Sequence, residues 1–229
     1  MATRGGPQRR GARPAPSRQR PKPQPAPAPP PPPAGPFRLG AVAGATPGKW
    51  IDVWKTRMPR TPLELVPLLG AEQRAAFVRG EVDAAIVRLP IDRDGLHVIP
   101  LYEETTVVVC AVDSHLTAAD ELTSEDLAGE VRIVPLDDVL AFDVPGTEAP
   151  RFAPPETTGQ AIETVATGVG IVVVPMSLAR LHHRKDVTFR PLAGAPASAV
   201  ALAWPADATT ELVDVFVGIV RGRTANSSR

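Results

Sequence analysis

From residue 37 onward, short apolar runs alternate with stretches whose apolar positions recur every three or four residues. Residues 37–43 (FRLGAVA) predict a strand. The step GATP after it predicts a helix start, with Thr46 as the cap and Pro47 in the first helical position. Trp50, Val53, Trp54 and Met58 follow at helical spacing, and Pro59 stops the run. Residues 62–66 predict a second strand, 71–79 a second helix and 82–87 a third strand. Further strands are predicted at 96–101 and 105–112, with a short capped helix ending at Leu127 and another strand beginning at Val131. Residues 137–155, with Pro145, Gly146, Pro150, Pro154 and Pro155, predict a loop. A helix around 161–166, a strand at 171–174 and a short helix at 176–183 come next. Strands at Val187–Pro191 and 199–204 precede a closing helix over 210–223. Helices at such short intervals between strands predict βαβ units and a mostly parallel sheet.

The stretch ETVATGVGIVVVP (163–175) tests whether a glycine pair holds a phosphate. In a dinucleotide fingerprint the glycines follow a strand and open a helix, so that phosphate meets the helix N-terminus. Here they follow a helical pattern and open a strand, which predicts Gly168 or Gly170 as a left-handed helix cap.

Composition separates off the first 36 residues. They carry seven Lys/Arg, no acid, little that is apolar and the run Pro29–Pro33, a pattern expected to stay disordered. Of the chain's 25 basic and 25 acidic residues, 18 and 25 lie beyond that tail, a net charge of −7 over 37–229. So acidic a folded part is a poor nucleic-acid binder by itself. No apolar h-region follows the tail's basic residues, and no run reaches the ~18 apolar residues a membrane span requires. Cys110 is the only cysteine, which excludes an internal disulfide and predicts a small buried thiol. A cytoplasmic protein without membrane association is expected. Residues 224–229 are expected to fray.

The ordered succession of FRLGAVAGATPGKW (37–50), PLELVPL (62–68), RGEVDAAIVRLP (79–90), LHVIPLYEETTVVVCAVDSHL (96–116), DELTSEDLAG (120–129) and ETVATGVGIVVVP resembles the effector-binding domain of LysR-type transcriptional regulators. The resemblance implies a two-lobed α/β fold of the type-2 periplasmic-binding-protein kind over residues 37–223. Lobe I would span about 37–112 and 187–223, and lobe II 113–186. It implies a cytoplasmic sensor of a small-molecule effector, acting as a homodimer or beside a full-length regulator. The short segment between Val134 and Glu156 predicts a reduced second lobe. Residues 1–36 accommodate no helix-turn-helix, so no specific DNA contact of the chain's own is expected, unless a start further upstream encodes one.

In open α/β sheets, ligands sit beyond the carboxyl ends of the strands. Gly44, Ala45 and Thr46 follow the first strand, Gly70 the second and Arg88 the third, and the three loops are expected to meet over one crevice. Helical N–H groups and a guanidinium there predict an anionic metabolite, a carboxylate. Arg88 either anchors it or pairs with Asp83, Asp92 or Asp94. Leu136, Asp137, Thr157 and Thr158 are candidate walls from the other lobe, and Thr158 doubles as a candidate helix cap. The His182–Lys185 cluster suits a helix C-terminus better than a metal shell, and Glu103 and Glu104 face opposite sides of a strand. With no Ser-His-Asp or Cys-His grouping, no catalytic residue, metal or cofactor is expected. A solute-binding protein of a transporter shares the fold but needs export. An enzyme on this fold needs a catalytic group, and a recruiting role for the Pro-rich tail needs an aromatic groove in a partner.

Overall fold

The computed structural model describes residues 1–3, 6 and 35–222. The disorder expected of the tail and the fraying expected of 224–229 therefore concern segments almost wholly outside the described residues. The chain divides into units Met1–Pro33 and Ala34–Arg229, and every described helix and strand belongs to the second.

That unit begins with β1 (Phe37–Val42), α1 (Gly48–Arg57), β2 (Leu63–Leu68), α2 (Gln73–Val78), β3 (Ala84–Arg88) and β4 (Leu96–Glu104). It continues with β5 (Thr106–Ala111), α3 (Thr158–Val165), β6 (Val172–Pro175), α4 (Met176–Leu181), β7 (Val187–Pro191), β8 (Ser198–Pro205) and α5 (Glu211–Val220). Two sheets result, one of five strands in the order β2-β1-β3-β8-β4 and one of three in the order β6-β5-β7. The predicted start of α1 shifts by one residue, since Pro47 occupies the cap position and Thr46 makes no capping bond.

The sheets are mixed, and the expectation of mostly parallel sheets is corrected. Only β1–β2 and β1–β3 run parallel, whereas β8 opposes β3 and β4, and β5 opposes β6 and β7. Parallel neighbours need a crossover to carry the chain back to the starting edge. Such crossovers exist over residues 37–88, and the sequence pattern there is sound. Between β4 and β5 there is only Thr105, so the chain passes from one sheet into the other with no crossover helix between them. The lobe boundaries move for the same reason. Because β5 and β7 lie in the second sheet, the crossings fall at Thr105 and at residues 192–197, not at 112 and 187.

Both faces of both sheets are covered, which explains the nearly unbroken apolar strands. Along β8, Leu202 and Trp204 join Phe37, Trp54 and Phe216 under α1 and α5, while Ala201 and Ala203 join Ala76 and Phe77 under α2. Along β5, Val107 and Val109 pack on Ile162, Val165 and Leu178, and Val108 and Cys110 on Leu116, Leu122 and Leu127. Burial pushes the Cys110 thiol up, which leaves it an inert core group.

The glycine pair turns the chain, as its order predicts. Gly168 and Gly170 have φ of 83° and 72°, and neither starts a helix. Gly170 has a second constraint, because a Cβ there would collide with the Val131 carbonyl oxygen, to which Ile171 N–H donates at 2.8 Å. Around Gly168 nothing lies within 4 Å of such a Cβ. Gly168→Ala is expected to cost about 1–2 kcal/mol, the left-handed penalty alone. Gly170→Ala is expected to cost clearly more, about 3 kcal/mol or above, once the collision is added. Urea denaturation of both variants checks this ordering; equal losses would refute it.

Candidate functional site

Arg88 closes β3, and its backbone is held by the Gln73 side chain of α2. Arg88 N–H donates to Gln73 Oε1 at 3.0 Å, and Gln73 Nε2 donates to the Arg88 carbonyl at 2.8 Å. The guanidinium is thereby aimed along the strand toward β4 and β8. Nη1 donates to Glu104 Oε2 at 2.8 Å and to Ser198 Oγ at 2.6 Å. Nη2 lies 3.4 Å from both the Ala43 carbonyl and Ser177 Oγ. Ser177, in the first turn of α4, donates its hydroxyl to Glu104 Oε2 at 2.7 Å. Side-chain exposures of 4% for Arg88 and 9% for Glu104 make this a desolvated pair, viable only because hydroxyls complete its hydrogen bonds. The chain of contacts links the lobes, since Arg88 and Glu104 belong to the first sheet and Ser177 to the second lobe.

The partners expected for Arg88 do not pair with it. Asp83 pairs with Arg38 at 2.8 Å and Asp92 lies 3.7 Å from Arg74, while Asp94 makes no ion pair with Arg88, whose carboxylate partner is Glu104. Glu103 and Glu104 do face opposite sides, with Glu103 exposed.

Where one crevice was expected, the strand ends open into two. A cavity of about 540 Å³ takes Gly44, Ala45 and Thr46 together with Tyr102, Glu104, Ser177 and Arg180. Desolvation, with the Glu104 carboxylate adding to it, pushes the Tyr102 phenol up. A second cavity of about 520 Å³ is lined from lobe I by Leu69, Gly70, Ala71, Gln73, Arg88, Leu89 and Pro90. Leu136, Asp137, Asp138, Val139, Ala141, Glu156 and Thr157 line it from lobe II. The Arg88–Glu104–Ser177 chain is the partition, because Arg88 belongs to the second lining and Glu104 and Ser177 to the first. A Cβ at Gly44 would run into Ser177 Oγ, so that glycine lets lobe I approach Ser177 of the second lobe closely beside the partition.

Gly70, Arg88, Leu136 and Asp137 thus share one cavity, and Gly44, Ala45 and Thr46 the other. Thr158 lines neither. Its hydroxyl donates to Asp137 Oδ1 at 2.9 Å, and the capping role expected of it belongs to Thr157, whose Oγ1 accepts from Gln160 N–H at 3.3 Å. Sequence reasoning missed Glu104, Ser177, Ser198 and Gln73. Ser177 carried a legible signal, as it lies two residues after Pro175, the proline that ends an apolar strand, where helix starts face ligands.

Among the described residues, no three His, Cys, Asp or Glu side chains are grouped to hold a metal, and no helix is long and apolar enough to cross a membrane.

A family model described as the LysR substrate binding domain matches residues 31–225. The Hca operon transcriptional activator HcaR of Escherichia coli K12 is 28% identical over 189 residues, 78% of this chain and 63% of HcaR. The regulator AlsR of Bacillus subtilis is 25% identical over 146 residues, 60% of this chain and 48% of AlsR. The chain thus spans about half to two thirds of the length of these relatives. Among solved structures, a mutant OxyR regulatory domain from Pseudomonas aeruginosa superposes with a TM-score of 0.64 at 23% identity, covering 82% of this chain and 97% of that domain. The BenM effector binding domain with its effector benzoate gives a TM-score of 0.67 at 19% identity, covering 82% and 91%. At such identities the structural likeness speaks for the fold.

Proposed function

The chain belongs to the LysR substrate-binding domain family, and from that premise we propose that it is the sensing unit of a cytoplasmic transcriptional regulator whose effector enters the cleft between the lobes. The observation that carries this reading is the cavity of about 520 Å³ lined by both lobes, within the ~300–1,000 Å³ usual for small-molecule sites. A ligand touching both walls stabilises the arrangement that brings them together, and so shifts a population of lobe orientations. The output is a changed disposition within a homodimer or beside a full-length regulator.

The carboxylate effector expected from the sequence finds weak support in this lining, since its single guanidinium is already neutralised by Glu104.

A cleft filled from within tests the reading. Ala71 is exposed and lines the cavity, so Ala71→Trp occupies it without disturbing a core side chain. A cleft ligand at a hundredfold excess over its Kd stabilises wild type by about 2.7 kcal/mol, a Tm rise of roughly 5–10 °C. A panel of small organic acids and amines is expected to contain compounds that raise the Tm of wild type and leave Ala71→Trp unmoved. Equal shifts in both proteins would place the ligand elsewhere.

A further inference from the structure

The charge around the cleft specifies the class of its ligand, a step that rests on the cleft being the effector site. One guanidinium and three carboxylates line it: Arg88, Asp137, Asp138 and Glu156. Arg88 gives Nη1 to Glu104 and Ser198, so it offers an incoming anion little net charge. Asp138 is tied to its own loop, accepting from Leu140 N–H at 3.1 Å and Ala141 N–H at 3.2 Å. Asp137 and Glu156 are less committed. Asp137 accepts the Thr158 hydroxyl through Oδ1, which leaves Oδ2 without a partner among the described residues. The Glu156 carboxylate makes no hydrogen bond or ion pair among the described residues. Against these stands the N-terminus of α3, an eight-residue helix next to Glu156. Its dipole is equivalent to about half a positive charge, too little to reverse two unpaired carboxylates. Apart from Gln73 and Thr157, the rest of the lining is apolar. Leu69 and Leu136 are 67% and 70% exposed, one from each lobe.

We infer that the cleft selects an organic cation, a primary amine or ammonium head on an apolar body, with Asp137 and Glu156 receiving the head and Leu69 and Leu136 the body. An amine brings the donors that these acceptor-only groups lack, and a carboxylate of the same shape meets like charge.

Matched probes on the full chain decide the matter. Benzylamine, cyclohexylmethylamine and putrescine are titrated beside benzoate, cyclohexanecarboxylate and succinate, with binding read from the amide shifts of Gly70, Ala71 and Val139. At least one amine is expected to move these amides, and the acids to leave them in place. Its affinity is expected to fall about tenfold or more in the Asp137→Asn/Glu156→Gln variant, and to fall also with added salt. Both replacements are near-isosteric at exposed positions, and the amide oxygen introduced at position 137 can still accept from Thr158, so the variant keeps its fold and the amide spectrum verifies it. Acids moving the cleft amides while amines do not would overturn the cationic class and leave the effector cleft standing. Amine binding equal in wild type and variant would overturn the roles of Asp137 and Glu156, and the class with them. If neither series moves the cleft amides, the effector reading itself fails.

Discussion

Glu104→Ala is expected to destabilise the chain by about 3–5 kcal/mol, because it strands a guanidinium that is almost fully buried. The loss comes from the charge left behind more than from the contact removed. Only 4% of the Arg88 side chain is exposed, and its remaining acceptors are Ser198 and two long contacts at 3.4 Å. The same substitution frees the Ser177 hydroxyl, so the lobes lose a tie as the core loses a partner. A double substitution, Arg88→Leu with Glu104→Leu, removes both charges and is expected to cost clearly less than the two single changes combined. Denaturant melts of the four proteins give the coupling, expected at about 1.5 kcal/mol or more. Additive singles would show that the pair is not the tie described above.

Trp54→Ala is expected to be as damaging, by a different route. The indole is fully buried, stacks on Phe37 at 4.6 Å between centroids and leans on Phe216 at 6.0 Å. Its Nε1–H donates to the Thr61 carbonyl at 3.0 Å, fixing the turn between α1 and β2. Truncation opens a cavity between the first sheet and its helices and leaves that carbonyl unpaired, a loss of about 4 kcal/mol. For a chain of this size the Tm falls by roughly 8–16 °C. Trp50, only partly buried at the rim of the same cluster, serves as the comparison, and Trp50→Ala is expected to cost about half as much. Equal falls would mean that the aromatic cluster is not the centre of lobe I.

The parts of the fold legible in the sequence are those where a helix separates strands. Over residues 37–88 the alternation of strand and helix periods is unambiguous, and the observed elements follow it to within a few residues. Between Leu96 and Ala111 two apolar strands follow each other with no intervening helix, and hydrophobicity cannot tell which sheet each will join. That ambiguity produced both the parallel-sheet expectation and the misplaced lobe boundaries. Arg88 was visible as a charge closing an apolar strand, a position that demands a partner. The partners were not, since Glu104 lies 16 residues away and Ser198 110, distances over which no local pattern acts. Thr157 and Thr158 are both chemically able to cap α3. Only the extended backbone of Thr157, with φ −132° and ψ 155°, decides between them.

The two crossings between the sheets are fastened to each other. Glu104 pairs with Ser198 across β4 and β8, and Thr106 Oγ1 donates to the Pro196 carbonyl at 2.6 Å. Such a double strap is expected to resist splaying apart and to yield most easily to torsion, so a relative movement of the lobes would be a swivel about it, where a single flexible linker would let them drift. Because the Glu104 carboxylate is mounted on the strap itself, any swivel that narrows one cavity changes the width of its neighbour too. A molecule lodged in either hollow would therefore be felt in both.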